Sequence, residues 1–406
     1  MLINIVNVDR VNVPATGTGD PMAAPPSAWI TTTEAAQRLG VKRATLYAYV
    51  SRGLLHSERR PGQQESLFDR AEIDAMASAT RPPGGPPPVL RFRSIATAVS
   101  SHLDGELFYR DRPLGDVVKL PSLDAAAAIV LGSTGAQRFS ADLAEGAADL
   151  SRLPLRRRMP VAVQLVAAAD PFAADTDPDR VREAALPTLR SALALAAGGR
   201  ADRDLAALTL SALGGSSSNR GDVATLRVLL VALLDHGLTA STVAARVAAS
   251  TRAGLPDCLC AAYAAMAGPL HGAAPVAAHG LLADDVDAGA LVARALREHG
   301  GVPGFGHFRY PDGDPRAEVV LAAVWRRRGT TRLRRRVEAL AGLVADRTGA
   351  LPNIDLASAA VLHALRLPAE AGEVTFQVAR SVGVAAHVVE EYTEQPLRWR
   401  GRDPQG

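Results

Sequence analysis

Cysteine, lysine and aromatic residues are scarce in this chain of 406 residues. The two cysteines, Cys258 and Cys260, are too few for a disulfide framework, and we expect the protein to work in the reducing cytoplasm. Aromatic residues make up 4% of the sequence, whereas Ala, Leu, Val and Arg dominate it, and this composition favours helices. With 48% apolar residues the chain can bury a substantial core, which we expect to be mainly α-helical.

Motifs for metals and nucleotide cofactors are also missing. There is no Gly-rich phosphate loop, no dinucleotide-binding fingerprint and no His-Glu-x-x-His spacing, so we expect no metal and no bound cofactor. Residues 1–27 lack the basic start of a secretion signal, and we expect a disordered tail there. The uncharged run at residues 258–282 exceeds the roughly 20 residues of a membrane span. Pro269 and Pro275 interrupt it, so we expect a buried helix, a turn and a second helix, away from any membrane.

A run rich in Pro and Gly at residues 80–90 marks a domain boundary, because such a sequence can neither continue a helix nor pair in a sheet. We expect an extended linker there, a small domain at residues 28–79 and a larger one at residues 91–406. Beyond the linker, strand-like alternation is confined to a few residues around Leu107, and the remainder predicts helices. Three clear examples are residues 224–234, 282–298 and 376–391.

The small domain has the spacing of a helix-turn-helix. A helix from Thr33 and a second helix at residues 42–52 flank a turn at Gly40. A short hairpin, or wing, is predicted at residues 54–68, after which Asp69 caps a further helix. This order resembles the winged helix-turn-helix of MerR-type and excisionase-like DNA-binding proteins, in which the second helix enters the major groove and the wing reaches phosphates. The candidate DNA-binding residues are Lys42, Arg43, Thr45, Tyr47, Tyr49, Arg59 and Arg60.

The charge of this domain leaves its role open. The whole chain carries a net charge of +3, and residues 28–81 contain eight basic and six acidic side chains. Such a weak excess permits DNA binding without requiring it. The alternative is a packing or oligomerisation module that has lost DNA binding.

Four short segments in the last third of the chain combine reactive side chains with Gly or Pro. They are Gly-Pro-Leu-His-Gly ending at Gly272, Gly-Phe-Gly-His ending at His307, Asp-Pro-Arg ending at Arg316 and Pro-Asn-Ile-Asp ending at Asp355. An aspartate can remove a proton, a histidine can stabilise charge that develops on oxygen, and an arginine can bind a carboxylate. Together they suit the condensation of a carbon acid with an anionic substrate.

In this order the four segments resemble citrate synthase, and the similarity extends over most of the chain after about residue 91. Further matching segments lie at residues 101–116, 235–242, 378–383 and 398–400. The resemblance implies an all-α fold of two subdomains, the smaller at roughly residues 273–356. It also implies a homodimeric acyltransferase that condenses acetyl-CoA or propionyl-CoA with oxaloacetate to give citrate or methylcitrate and CoA.

The resemblance assigns a role to each reactive side chain. Asp355 would be the catalytic base, His271 the donor to the thioester oxygen, and His307 the group that polarises the ketone. His236, Arg316 and Arg380 would bind oxaloacetate, joined by Arg398 from a neighbouring subunit. The residues implied in CoA binding are Gly301, Val302, Pro303, Gly304, Phe305 and Arg309.

Several positions depart from the family pattern or have a structural explanation. Gly237 and Thr239 stand where the family has Glu and Asn, Pro275 replaces an Asn, and Phe308 stands where Arg is frequent. These changes leave open which acyl-CoA and which keto acid fit. Asp355 also has the position of a helix N-cap. On the helix that carries Arg380, we expect His387 to make a structural hydrogen bond, and a basic cluster at residues 326–336 predicts a solvated face or a contact with CoA phosphates.

A function in another class remains open alongside the enzyme. In that alternative the protein is a transcriptional regulator whose citrate synthase-like domain senses acyl-CoA or oxaloacetate. A sensor needs the arginines but not a catalytic base. The presence of Asp355 together with both histidines therefore favours the enzyme.

Overall fold

The computed structural model describes residues 29–39, 46, 50, 55, 57–58, 66–70, 72–73, 95–133, 149–198, 204–283 and 287–399. The chain divides into two compact units, residues 1–95 and 96–406. The predicted disordered tail, the linker at residues 80–90 and all the candidate DNA-binding residues lie outside the described residues. The predicted limits of the tail, the two domains and the linker stay predictions.

The first unit contains a short antiparallel sheet and a capped helix. Its described elements are β1 (Trp29–Thr31), α1 (Thr32–Leu39), β2 (Ser57–Glu58) and β3 (Leu67–Asp69), with strand order β1-β3-β2. The backbone N–H of Thr31 donates to Glu34 at 3.1 Å and that of Glu34 donates to the Thr31 hydroxyl at 3.2 Å, a capping box that begins α1. The cap is therefore Thr31 and not Thr33, at which the sequence placed the helix start. Strands β2 and β3 pair as the wing prediction requires, and Asp69 caps the next helix through the N–H of Glu72 at 3.4 Å.

The second unit begins with a three-stranded antiparallel meander. Its strands are β4 (Ser100–Leu103), β5 (Glu106–Tyr109) and β6 (Arg112–Pro113). Asp104 and Gly105 join β4 to β5 with φ of 50° and 81°, the backbone of a two-residue turn that suits the twist of a hairpin. Only β5 has apolar alternation in its sequence, so sequence patterning identified β5 and missed its two partners.

The remainder of the second unit is helical in the part that the structure describes. The helices are α2 (Leu114–Val117), α3 (Leu123–Leu131), α4 (Leu155–Ala169), α5 (Pro178–Ala197), α6 (Leu205–Ala212), α7 (Arg220–Leu233), α8 (Ala240–Ser250), α9 (Leu255–Met266), α10 (Ala274–Ala283), α11 (Ala288–His299), α12 (Pro315–Trp325), α13 (Thr331–Thr348), α14 (Ile354–Leu365) and α15 (Ala371–Tyr392), with a 3-10 turn at Leu150–Arg152. The predicted mainly α fold class is confirmed.

Helix α15 lies at the centre of the larger hydrophobic core, and nearly all of its residues are buried. A helix that is covered on all sides must be packed by other helices, and α15 contacts α5, α8 and α9 among others. A smaller core is built by side chains of α10, α11, α13 and α14, from Ala278 to Ala360. The reactive segments lie on loops and helix ends next to these two cores.

Two sequence expectations about helices have different outcomes. The uncharged run at residues 258–282 is confirmed as helix, turn and helix, formed by α9, a bend around His271 and α10. Among the described residues, no helix is long and apolar enough to cross a membrane. The single helix predicted at residues 282–298 is wrong, because α10 ends at Ala283 and Asp287 caps α11 by accepting from the N–H of Ala290 at 3.1 Å.

Candidate active site

Two loops bring His307 and Asp355 to one place. Phe305 forms a β-bridge with Pro352, and the N–H of Gly306 donates to the carbonyl of Leu351 at 2.8 Å. The side chain of Asn353 adds a bond to the carbonyl of Gly306 at 2.9 Å. The loop before His307 is therefore tied to the segment that begins α14, which carries Asp355.

Gly304 permits this close approach of the two loops. Its φ is +84°, and a Cβ added there would lie 2.9 Å from the Cβ of Leu356. Its carbonyl accepts from the N–H of Asn353 at 2.9 Å. A side chain at this position would strain the backbone and push the loop away from α14.

Asp355 is the second residue of α14 rather than its N-cap. The cap is Asn353, whose side chain accepts from the N–H of Asp355 at 2.9 Å, so the capping role predicted for Asp355 is wrong. The carboxylate of Asp355 is thus released from capping. Burial raises its pKa to about 6, against the attraction of the nearby Arg316. A carboxylate with this pKa is mostly ionised at neutral pH and still basic enough to take a proton in catalysis.

Four aromatic rings form a cluster around His236. The Nε2 atom of His236 lies 3.0 Å from the hydroxyl of Tyr310, and the ring of His307 lies 5.3 Å from that of His236 and 5.0 Å from that of Tyr310. The fourth ring is His102, whose centroid lies 4.6 Å from that of His236. Burial and the neighbouring arginines lower the pKa values of these three histidines, to about 4 for His307, about 3 for His102 and well below the usual value for His236. All three imidazoles are neutral at pH 7.

The proton positions on two histidines follow from their donors. The backbone N–H of Ser241 donates to Nε2 of His271 at 3.4 Å, and the Ser241 hydroxyl lies 2.8 Å from the same atom. The N–H of Arg309 donates to Nδ1 of His307 at 3.2 Å. Because a backbone N–H can only donate, neutral His271 carries its proton on Nδ1 and neutral His307 carries its proton on Nε2. Burial lowers the pKa of His271 to about 4, so it is neutral as well.

The arginines differ in how their charge is balanced. Buried Arg316 makes two bonds to Asp314, of 2.9 and 2.8 Å, and lies 5.2 Å from the centre of the Tyr310 ring. Buried Arg380 donates instead to the carbonyl of Leu233 at 3.0 Å and to the hydroxyl of Thr239 at 3.2 Å. Burial lowers the pKa of Arg380 to about 10, which still leaves it charged at neutral pH. The site therefore carries a positive field suited to an anionic ligand.

The contacts of Arg398 in the structure differ from the substrate contact that the sequence suggested. Within its own chain its guanidinium makes bonds of 2.7 and 2.6 Å to the carboxylate of Glu391 and lies 3.4 Å from that of Glu394. The described contacts do not join it to the histidine cluster. A role for Arg398 in the site of a neighbouring subunit stays a prediction.

The remaining predicted residues are placed as follows. In the loop between α11 and α12, Gly306 separates His307 from the predicted CoA-binding residues, and Arg309 follows His307 by two positions. Those residues are Gly301, Val302, Pro303, Gly304 and Phe305. The chain thereby places the predicted CoA loop next to His307 and Asp355, and CoA binding by it stays a prediction. Among the described residues, no three His, Cys, Asp or Glu side chains are grouped as metal ligands would be.

Comparison with known families identifies the chain. The family described as "Citrate synthase, C-terminal domain" matches residues 91–402, and the family described as "Helix-turn-helix domain" matches residues 29–81. The chain belongs to the citrate synthase family. Its similarity to solved citrate synthases confirms the predicted fold: that of Thermotoga maritima has a TM-score of 0.61 at 22% identity, covering 77% of this chain and 93% of that one. A ternary complex of carboxymethyl coenzyme A and oxaloacetate with citrate synthase from Thermoplasma acidophilum has a TM-score of 0.56 at 21% identity, covering 76% and 92%.

Relatives within the citrate synthase family include enzymes named for two different products. The citrate synthase of Haloferax volcanii is 33% identical over 199 residues, which is 47% of this chain and 52% of that protein. The 2-methylcitrate synthase 2 of Corynebacterium glutamicum is 33% identical over 187 residues, or 45% and 49%. The chain thus spans about half the length of the curated relatives it matches.

Sequence reasoning missed several residues of this citrate synthase-type site. His102 and Tyr310 belong to the ring cluster, and Ser241 orients His271. Ser241 and His102 lie within matching segments, at residues 235–242 and 101–116, a signal that could have identified them. Tyr310 lies between two matching segments and has no such signal, and the contact of His102 with His236 is made only in the folded chain.

Proposed function

We propose that this protein is a citrate synthase-type acyltransferase, which condenses acetyl-CoA or propionyl-CoA with oxaloacetate and releases citrate or methylcitrate and CoA. The observation that carries the proposal is the position of Asp355. Its buried carboxylate, with a pKa of about 6, is close enough to Arg316 to be attracted by it, and the segment before it is bonded to the loop that leads to neutral His307. A site that only binds ligands has no need of such a base.

In the first step Asp355 removes a proton from the carbon next to the thioester carbonyl. The electron pair of the broken C–H bond forms a C=C bond, and the carbonyl electrons move to the thioester oxygen. The Nδ1–H of His271 is the donor for this oxygen, because Ser241 occupies Nε2. The barrier falls because base and donor act on one substrate together.

In the second step the electron pair of the C=C bond forms a C–C bond with the keto carbon of oxaloacetate, and the electron pair on the thioester oxygen re-forms the C=O bond. The electrons of the ketone C=O bond move to its oxygen, which takes the proton from Nε2 of His307. The N–H of Arg309 keeps Nδ1 of His307 occupied and so leaves the proton at the reacting nitrogen. Water then adds to the thioester carbonyl, the C–S bond breaks, and CoA leaves as the thiol.

Oxaloacetate is held by its charges in this proposal. His236 belongs to the ring cluster, Arg316 lies 5.2 Å from the centre of the Tyr310 ring, and Arg380 is near enough for its charge to act on His236. Two carboxylates are attracted by this buried positive field, and the keto group can then lie against His307. CoA is bound by the backbone of residues 301–305.

Release of free CoA tests the proposal. Purified protein is mixed with acetyl-CoA or propionyl-CoA, with and without oxaloacetate, and the thiol is measured with a chromogenic reagent. We expect release that depends on oxaloacetate, and the ratio of the two rates identifies the preferred acyl group. Absence of release with both acyl-CoA substrates, although the protein is folded, would contradict the enzyme and favour the sensor.

A second function is supported by the first unit. The capping box of α1, the paired strands β2 and β3 and the family match at residues 29–81 support a winged helix-turn-helix that binds DNA. Such a unit would recruit the enzyme to DNA, or report the metabolic state of the larger domain in the alternative of a transcriptional regulator. These two roles of the unit differ in whether acyl-CoA and oxaloacetate change its affinity for DNA.

A further inference from the structure

The ring cluster contains one histidine that the mechanism above does not use. Both ring nitrogens of His102 are shielded from solvent, and within the described part of the chain neither has a hydrogen-bond partner. Its ring meets that of His236 edge-on at 4.6 Å and lies 5.7 Å from that of Tyr310. Leaving buried polar atoms unpaired is unfavourable, so their position beside a substrate-binding site points to a ligand.

Arg309, near His102, also has a buried polar atom without a hydrogen-bond partner among the described residues, namely its Nε atom. Arg309 is near enough to His102 for its charge to lower the pKa of that imidazole. Burial and the repulsion of Arg316 lower the pKa of Arg309 itself, although Tyr310 acts in the opposite direction.

The arginines near the ring cluster differ in whether a carboxylate neutralises their charge. Asp314 neutralises Arg316 through two short bonds. Arg380 bonds to a backbone carbonyl and a hydroxyl, and Arg309 has no ion pair with a carboxylate in the described residues. Two arginines of the site, Arg309 and Arg380, are thus left without a neutralising partner, and oxaloacetate carries two carboxylates.

We propose that His102 and Arg309 together bind the carboxylate farther from the ketone of the keto acid, and so make the site selective for a keto acid with two carboxylates. The proposal rests on the keto acid condensation proposed above. Neutral His102 supplies one N–H and Arg309 supplies its guanidinium, in addition to His236 and Arg316, while Arg380 remains for the other carboxylate. In this assignment Arg309 acts on the keto acid rather than on CoA.

Calorimetry with two ligands tests the subsite without turnover. Oxaloacetate is compared with 2-oxobutanoate, in which a methyl group replaces the carboxylate farther from the ketone. We expect His102→Leu and Arg309→Leu each to weaken oxaloacetate binding about 10- to 100-fold, the range for a lost hydrogen bond to a charged group. Binding of 2-oxobutanoate should change less than threefold, because it lacks the carboxylate that the subsite holds.

Matched variants separate this role from a structural one. His102→Gln keeps a donor and should retain most of the oxaloacetate affinity. His299→Leu and Arg297→Leu remove the same groups from the exposed end of α11 and should bind both ligands like the wild type. If His102→Leu fails to fold, Arg309→Leu carries the test, since Arg309 is only half-buried.

The outcomes also separate the subsite from the proposed function. Equal weakening of both ligands, or unchanged oxaloacetate binding in Arg309→Leu, would overturn the subsite even if the wild type releases CoA. Selective weakening of oxaloacetate binding would support the subsite even if the wild type released no CoA, in which case the enzyme proposal alone would fail.

Discussion

The Nε2 atom of His387 lies 3.3 Å from Oδ1 of Asp235, and both side chains are fully buried. The carboxylate of Asp235 also accepts from the Ser100 hydroxyl at 2.5 Å and from the N–H of Gly237 at 2.8 Å. One carboxylate therefore joins β4, the segment that carries His236 and the central helix α15. The structural hydrogen bond predicted for His387 is confirmed by the contact of its Nε2 atom with Oδ2 of Asp235 at 3.4 Å, and it supports the loop that presents His236.

We expect His387→Leu to lower the free energy of unfolding by about 3 to 5 kcal/mol, because it leaves the buried charge of Asp235 without its partner. Asp235→Asn combined with His387→Leu should be less damaging than the sum of the two single changes, since neither then leaves a lone charge. Urea unfolding of the four proteins measures the coupling. Strictly additive losses would argue against a direct interaction.

Asp355→Asn should reduce turnover by on the order of 10² to 10⁴, because the amide cannot take the proton from the acyl group. Oxaloacetate binding and the melting temperature should change little. Asp346→Asn, on the exposed face of α13, is the matched control and should behave like the wild type. Wild-type release of CoA by Asp355→Asn would remove this residue from the mechanism.

The pH dependence of kcat/KM should reflect Asp355. Burial raises its pKa to about 6, so protonation removes the base as the pH falls below that value. We expect kcat/KM to decline about tenfold per pH unit below pH 6. Initial rates in buffers of constant ionic strength measure this limb, and a midpoint near pH 4 would instead indicate a solvated carboxylate.

Stability should also decrease in acid, for a separate reason. Burial lowers the pKa of folded His271 and His307 from 6.5 to about 4, so these side chains stay neutral where the unfolded chain binds protons. Their contribution to stability is complete above about pH 6.5 and is lost as the pH falls towards 4. Asp355 acts in the opposite direction, because its raised pKa favours the folded state in acid. Thermal melting between pH 7 and 4 measures the combined effect of these groups on stability. Replacing His307 with Asn should make the melting temperature depend less on pH.

We expect a homodimer with shared sites if Arg398 enters the neighbouring subunit. Arg398→Ala and Asp355→Asn chains should each be impaired, and mixing them should restore part of the activity, because a hybrid dimer has one site with both residues native. Light scattering and subunit exchange provide the control. Full activity of Arg398→Ala alone would assign Arg398 to its bond with Glu391.

The first unit should bind DNA, with an inverted repeat preferred if the protein is a dimer. Arg43→Ala should weaken specific binding by about 1 to 3 kcal/mol if Arg43 contacts a base, and affinity should fall steeply with salt. Mobility-shift assays with genomic fragments, with and without oxaloacetate and acetyl-CoA, measure the affinity for DNA. Arg297→Ala is the control variant. Genomic fragments that bind no better than random duplex would leave the unit as a packing module.

Short-range features of this protein were determined by its sequence alone. The capping box of Thr31 and Glu34, the two helices around His271 and the loop residues of the four reactive segments depend on hydrogen bonds and backbone preferences within a few positions. The family followed from the order of those segments. Local chemistry of this kind can be predicted because each interaction spans few residues.

Only the tertiary structure decided which side chains of the site lie next to each other and what pKa values they have. His102 meets His236, and Asp235 meets His387, only because distant segments pack together. The raised pKa of Asp355 depends on its burial, which no local pattern encodes. Arg309 is a further example. Its position in the sequence suggested a contact with CoA, whereas only the folded structure shows that its Nε atom is buried without a hydrogen-bond partner among the described residues, near the ring cluster.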